Sequence, residues 1–251
     1  MTDATPNVPV RSGSSLIVVE GIDGSGSTTQ VRRMADHLRL RGENVFVSHE
    51  PSDGPVGMLI RLALAGRLSG PHKHFHDPFE LVEDDSGTEL DPNTLALLFA
   101  ADRSDHLALQ LRPNLQRGRH VLCDRYILST LAYQGLTCDL DWLLTINKNI
   151  RPPDLTLFLD VPPREAQIRM QSTRWIRDLY ETPEQQTNIR ERYLGLLRRR
   201  IPLVGPVVVI DASRPEAEVS TDIMSVLDVF LDTGTVEEVL PVEDGGQPTF
   251  F

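Results

Sequence analysis

Residues Leu16-Ile-Val-Val-Glu20 form a short apolar run that leads at once into Gly21-Ile-Asp-Gly-Ser-Gly26-Ser27-Thr28-Thr29. A β-branched run of this kind reads as a buried strand, the glycines as a turn, and the polar stretch after them as the start of a helix. That is the layout of a phosphate-binding P-loop, G-x-x-x-x-G-K-[S/T], except that Ser27 stands where lysine is expected. Successive N–H groups of such a loop line a concave turn, and the following helix adds the positive end of its dipole. Gly21, Ile22, Asp23, Gly24, Ser25, Gly26, Ser27, Thr28 and Thr29 are therefore candidate phosphate ligands, with the Thr28 hydroxyl a candidate ligand for Mg²⁺. The plainer alternative is a glycine-rich strand–turn–helix that binds nothing; the hydroxyl pair Thr28-Thr29 favours phosphate.

The charge balance narrows the partners. A net charge of -11 argues against nucleic acid and against an anionic membrane surface. A phosphorylated small molecule would instead need a local pocket of arginine and backbone N–H groups. Only two of the 25 basic residues are lysines, Lys73 and Lys148, so arginine carries almost all positive charge here. Two cysteines, Cys123 and Cys138, are too few for a disulfide framework, and Cys123 reads as a packed thiol closing an apolar strand. The first residues lack the basic start and apolar stretch of a secretion signal, and no apolar run is long enough to span a membrane. The expectation is a cytoplasmic protein.

Apolar runs at Leu16–Glu20, Val45–Ser48, His120–Cys123, Leu155–Asp160 and Val207–Ile210 alternate with helical stretches. The spacing predicts helices over Thr28–Arg41, Val56–Arg67, Asn93–Gln110, Asp139–Ile150, Pro163–Met170, Thr187–Arg200 and Pro215–Leu231. Continuously apolar strands joined by helices imply parallel βαβ units in a three-layer α/β fold. Residues 1–14 read as a loose tail, 15–232 as the folded domain, and 233–251 as an acidic flexible tail. Residues 69–91 interrupt the alternation. Their His72, His74 and His76 could chelate a metal, but a solvated loop insertion is the simpler reading because no cysteine or further histidine lies nearby in sequence.

Asp124 and Arg125 end an apolar strand, where ligands gather in open α/β sheets. Asp124 there can share a Mg²⁺ shell and Arg125 can bridge phosphates; a buried Asp–Arg bridge is the alternative. Phe99 and Arg103, four apart in a helical run, share one face and suit a base with its phosphate. Taken in order, several segments resemble thymidylate kinase, a P-loop nucleoside-monophosphate kinase family. They are Glu20-Gly-Ile-Asp-Gly-Ser-Gly26, Glu50-Pro51 with Gly57 and Arg61, Leu98-Phe-Ala-Ala-Asp-Arg103 and Asp124-Arg-Tyr126. Ser129-Thr-Leu-Ala-Tyr-Gln-Gly135, Pro153-Asp-Leu-Thr-Leu-Phe-Leu-Asp160 and Arg177-Asp-Leu-Tyr-Glu181 follow, and the likeness runs over about residues 15–231.

The resemblance implies a five-stranded parallel sheet of order 2-3-1-4-5 flanked by helices, a mobile lid near residues 169–184, and a homodimer. It implies ATP and dTMP as substrates, with Mg²⁺. By similarity, Asp23 would face the acceptor, and Asp124 and Arg125 would join it at the reacting centre. Phe99 would stack on thymine, and Arg61, Arg103 and Arg125 would grip the monophosphate. Tyr133 would crowd the 2′ position, and Glu50, Thr130 and Gln134 would line the acceptor side. Asp178, Tyr180 and Glu181 would lie at the lid. His49-Glu50-Pro51 departs from the usual Arg-Glu-Pro, so His49 receives no phosphate role. Ser27 is the larger departure, since a cation bridging the phosphates is central to phosphoryl transfer. Gly24 stands where some members carry a catalytic arginine, and Arg174, assisted by Arg169 or Arg177, is the candidate substitute for the lysine. Two rivals stay open at this point: a nucleotide-binding protein without turnover, and a kinase for dUMP, dCMP or another monophosphate.

Overall fold

The structure, a computed structural model, describes residues 13–67, 90–171 and 182–239. Five parallel strands make one sheet in the order β2-β3-β1-β4-β5. They are β1 (Leu16–Gly21), β2 (Val45–His49), β3 (His120–Asp124), β4 (Leu155–Asp160) and β5 (Val207–Asp211). β1 is central, pairing Val18 with Cys123 on one side and with Thr156 on the other. All six of its residues are buried, as a continuously apolar strand covered on both faces requires. The expected fold class and strand order hold.

The helices are α1 (Ser27–Leu40), α2 (Pro55–Leu64), α3 (Pro92–His106), α4 (Arg112–Gln116), α5 (Ile127–Tyr133), α6 (Leu140–Ile146), α7 (Pro163–Gln171), α8 (Pro183–Arg198) and α9 (Glu216–Thr233). A π-helical turn over Leu107–Leu111 joins α3 to α4, so the helical run extends six residues past the expected end at Gln110. α3 starts as its sequence dictates: Asp91 caps the Thr94 N–H and Pro92 takes the first helical position. α8 opens four residues earlier than read, at Pro183, on a capping box between Thr182 and Gln185. α5 was not expected as a helix. Beyond α9, Val239 pairs with Val208 beside the β5 edge. The histidine-bearing stretch at 72–76 lies outside the described residues, and so do 1–12 and 240–251. No described helix is long and apolar enough to cross a membrane.

Candidate active site

β1 delivers the chain to Gly21, and α1 begins at Ser27 on a left-handed Gly26 with φ 93°. No side chain caps α1, so the first N–H groups of that helix stay available to an anion. The Ser25 N–H donates to the Ile22 carbonyl at 3.0 Å and closes the turn. Gly24, at φ 82°, lies against α7: a Cβ added there would sit 2.4 Å from the Ala166 carbonyl oxygen. Glycine is thus required twice over at that position, by conformation and by the close approach. Residues Asp23 to Gln30 line a cavity of about 700 Å³ together with Arg169, Met170 and Arg214.

A second cavity, of about 570 Å³, shares Asp23, Thr28 and Arg125 with the first. Its walls bring together Glu50, Arg61, Phe99, Arg103, Asp124, Thr130, Tyr133 and Gln134. These residues come from α2, α3, the end of β3, the residue after β2, and α5 with the residue that follows it, and they meet beyond the carboxyl ends of the central strands. Two cavities joined at one acidic and one basic residue suit a transfer between two bound molecules.

At the junction, the Thr28 hydroxyl donates to Asp124 Oδ2 at 2.5 Å. Asp124 Oδ1 is buried and has no hydrogen-bond partner among the described residues. That pair of hard oxygens fits a Mg²⁺ ion that takes most of its coordination from phosphates and water. No group of three or more His, Cys, Asp or Glu side chains among the described residues is arranged to cage a metal alone. Arg125 occupies the left-handed region at φ 69°, a strain of about 1–3 kcal/mol for a non-glycine residue. Its N–H donates to the Val19 carbonyl at 2.9 Å, and its guanidinium donates to Asp23 Oδ1 at 2.6 Å. The other Asp23 oxygen accepts from Tyr133 at 3.2 Å and from Gln186 Nε2 at 3.3 Å. Burial pushes the Tyr133 phenol above its usual range, with Arg125 pulling the other way, so the hydroxyl stays protonated and donates.

Arg103 lies at the cavity floor, 1% exposed. Its terminal nitrogens meet Glu50 at 2.8 Å, Asn147 at 2.7 Å, Thr130 at 2.8 Å and the Tyr126 carbonyl at 3.2 Å. Only Nε lacks a partner among the described residues. Arg61 donates to the Pro51 carbonyl at 2.8 Å and stays partly exposed.

The thymidylate kinase family model matches residues 19–76 and 80–223. The chain belongs to the thymidylate kinase family. A probable thymidylate kinase of Thermococcus kodakarensis is 38% identical, over 72% of this chain and 82% of its own. A thymidylate kinase of Dinoroseobacter shibae is 39% identical, over 85% of this chain and 96% of its own. The corresponding figures for a probable thymidylate kinase of Pyrobaculum calidifontis are 36%, 84% and 95%.

Within this thymidylate kinase family member, Arg169 lines the phosphate-loop cavity and donates to the Ala212 carbonyl at 2.8 Å. Arg174, Arg177, Asp178, Tyr180 and Glu181 lie outside the described residues. Three contributors escaped the sequence reading. Gln186 reaches Asp23 from α8, more than 160 positions away. Glu20, fully buried under the loop, accepts the N–H groups of Tyr126 at 2.9 Å and Ser129 at 3.2 Å, and so caps α5 from another strand. Burial pushes its carboxyl above the usual range, and the Ser129 hydrogen bond and the Arg125 charge oppose that only in part. His106 touches Glu50 from one turn beyond Arg103. Its spacing of three from Arg103 was the signal available, since such residues share a helix face.

Proposed function

We propose that this protein transfers the γ-phosphoryl group of ATP to dTMP, giving ADP and dTDP by direct in-line displacement without a covalent enzyme intermediate. The junction of the two cavities at Asp23, Thr28 and Arg125 carries this reading. Amides of the Gly21–Thr28 loop hold the donor phosphates, and Phe99 stacks on the acceptor base. Arg61 and Arg125 meet the acceptor phosphate, and Arg103, with Thr130 and Gln134, lies along the same wall. Tyr133 disfavours a 2′-hydroxyl while its own hydroxyl steadies Asp23. Thr28 and Asp124 would hold Mg²⁺, which would supply positive charge to the transferring phosphates. Asp23 and Arg125 fix each other and so orient the acceptor before transfer.

Arginine supplies the charge absent at Ser27. Arg174 leads in this role and Arg169 or Arg177 assists; the seating of α7 against Gly24 and the place of Arg169 in the donor cavity support it. The enzyme works as a homodimer, with the exposed Met58, Leu59 and Leu62 of α2 as the favoured contact. Purified protein incubated with ATP, Mg²⁺ and separate dTMP, dUMP and dCMP samples tests the assignment. ADP and dTDP should appear in equal amounts and fastest with dTMP. Nucleotide binding with no diphosphate product would overturn it, and faster turnover of another monophosphate would change the acceptor.

A further inference from the structure

A buried polar relay adjoins the acceptor cavity, and the reaction as described leaves its central member, His106, without a task. Ser48 near the end of β2 lies 2.5 Å from His106 Nε2, and His106 Nδ1 lies 3.2 Å from Glu50 Oε1. Glu50 Oε2 in turn meets Arg103 at 2.8 Å. The His106 side chain is fully buried and does not line the cavity, so it touches no substrate. One tautomer satisfies both neighbours: Nδ1–H donates to Glu50, and Nε2 accepts the Ser48 hydroxyl proton.

The relay answers a specific physical problem. A guanidinium as deeply buried as Arg103 needs a fixed counter-charge, and a buried ion pair holds its geometry only when its remaining lone pairs are also engaged. Glu50 supplies the charge. His106 engages the carboxylate oxygen that Arg103 leaves over, which fixes the plane of the carboxylate and with it the plane of the guanidinium. Arg103 then keeps its terminal nitrogens on Glu50, Asn147 and Thr130, and Nε remains the unpartnered donor among the described residues of the cavity floor. The backbone singles out the same place. α3 ends at His106 and the π-helical turn begins at Leu107, a local widening that recurs at functional sites.

We propose that His106 is a positioning residue for the acceptor nucleotide, acting through Glu50 to hold Arg103 in a fixed orientation in the wall of the acceptor cavity. This rests on the acceptor occupying the cavity walled by Phe99 and Arg103. Two near-isosteric substitutions separate the links. His106→Asn places an amide near Nδ1 and keeps the donor to Glu50, whereas His106→Gln places one near Nε2 and keeps only the Ser48 contact. His106→Gln should raise the KM for dTMP about tenfold, the scale of losing one hydrogen bond to a charged group, with the KM for ATP unchanged. His106→Asn should stay within about twofold of wild type. Thermal unfolding of both variants checks that each is folded. Should His106→Gln fail to fold, His106→Leu, which keeps the volume and removes the donor to Glu50, decides by the same readout, with a higher KM for dTMP and an unchanged KM for ATP expected. Equal defects in the Asn and Gln variants, or ATP and dTMP constants rising together, would show that His106 merely fills space and would overturn the proposal. Wild-type protein that neither binds nor phosphorylates dTMP would overturn the acceptor assignment itself, before any variant is compared.

Discussion

Single residues carry the chemistry, and their environments state how. Removing a preorganised cationic donor from a phosphoryl-transfer site costs about 10²–10³-fold in rate. If Arg174 stands in for the P-loop lysine, Arg174→Ala should lower kcat by that factor while dTMP affinity, measured by calorimetry, stays near wild type. Unchanged turnover would rule the substitution out. Glu20 makes a different prediction. Its carboxyl is raised by burial, so the native state binds that proton more tightly than the unfolded chain does. Stability from this group is therefore greatest at acid pH and falls as pH rises through the ordinary glutamate range to the raised native value. Glu20→Gln keeps an acceptor for the Tyr126 and Ser129 amides and removes the ionisation. The Tm of the variant minus that of wild type should climb as pH rises above about 4 and level off once the pH passes the raised native value. Parallel melting curves would contradict a buried ionising group. The residues that sequence made legible are those with local context, such as Asp124 at a strand end. Gln186 and Glu20 act across more than 100 positions, and only the folded chain puts them where they work.

Elements set where those residues stand. The strands were legible because each is an uninterrupted apolar run, and the structure extends several by a single residue. α5 was not, since seven residues are too few to show a period and its cap comes from Glu20 rather than from Tyr126. Pro113 explains the misread end of α3. A proline has no N–H to give and crowds the carbonyl four residues back, and the π-helical turn just before α4 lets the helix pass it. The start of α8 was written in Thr182, Pro183 and Gln185 and went unread. At the P-loop the decisive contact is between elements: Gly24 against the backbone of α7. Backbone cannot step aside as a flexible side chain can, and alanine at φ 82° is itself strained. Gly24→Ala should therefore destabilise the protein by about 1–2 kcal/mol, a Tm loss of a few degrees. Because the loop or α7 must shift, the KM for ATP should rise about tenfold, the equivalent of ~1.4 kcal/mol. With the acceptor in the other cavity, as proposed, calorimetric dTMP affinity should stay constant. An unaltered KM for ATP would mean that the loop tolerates displacement.

For the whole molecule, charge and exposed apolar surface pull in opposite directions. Each copy carries a net charge of -11, so two copies repel at low ionic strength. Against that stands α2, where Met58 is 54%, Leu59 39% and Leu62 36% exposed, with Leu97 of α3 exposed at 49%. Positions 58, 59 and 62 lie within one turn on one side of a helix, a stripe that a second apolar surface can cover. Apolar burial gains nothing from screening, whereas the repulsion loses most of its strength once the Debye length falls to about 8 Å near physiological salt. Association should therefore tighten as salt rises, the reverse of an interface built on ion pairs. Light scattering should give twice the chain mass, with a dissociation constant that falls between low and physiological salt. Met58→Glu combined with Leu62→Glu should bring the mass to one chain while the far-ultraviolet circular dichroism stays unchanged, since both side chains are exposed and neither lines either of the two cavities described. A wild-type chain that stays monomeric across the salt series, or a double variant that still pairs, would place α2 outside any contact between copies.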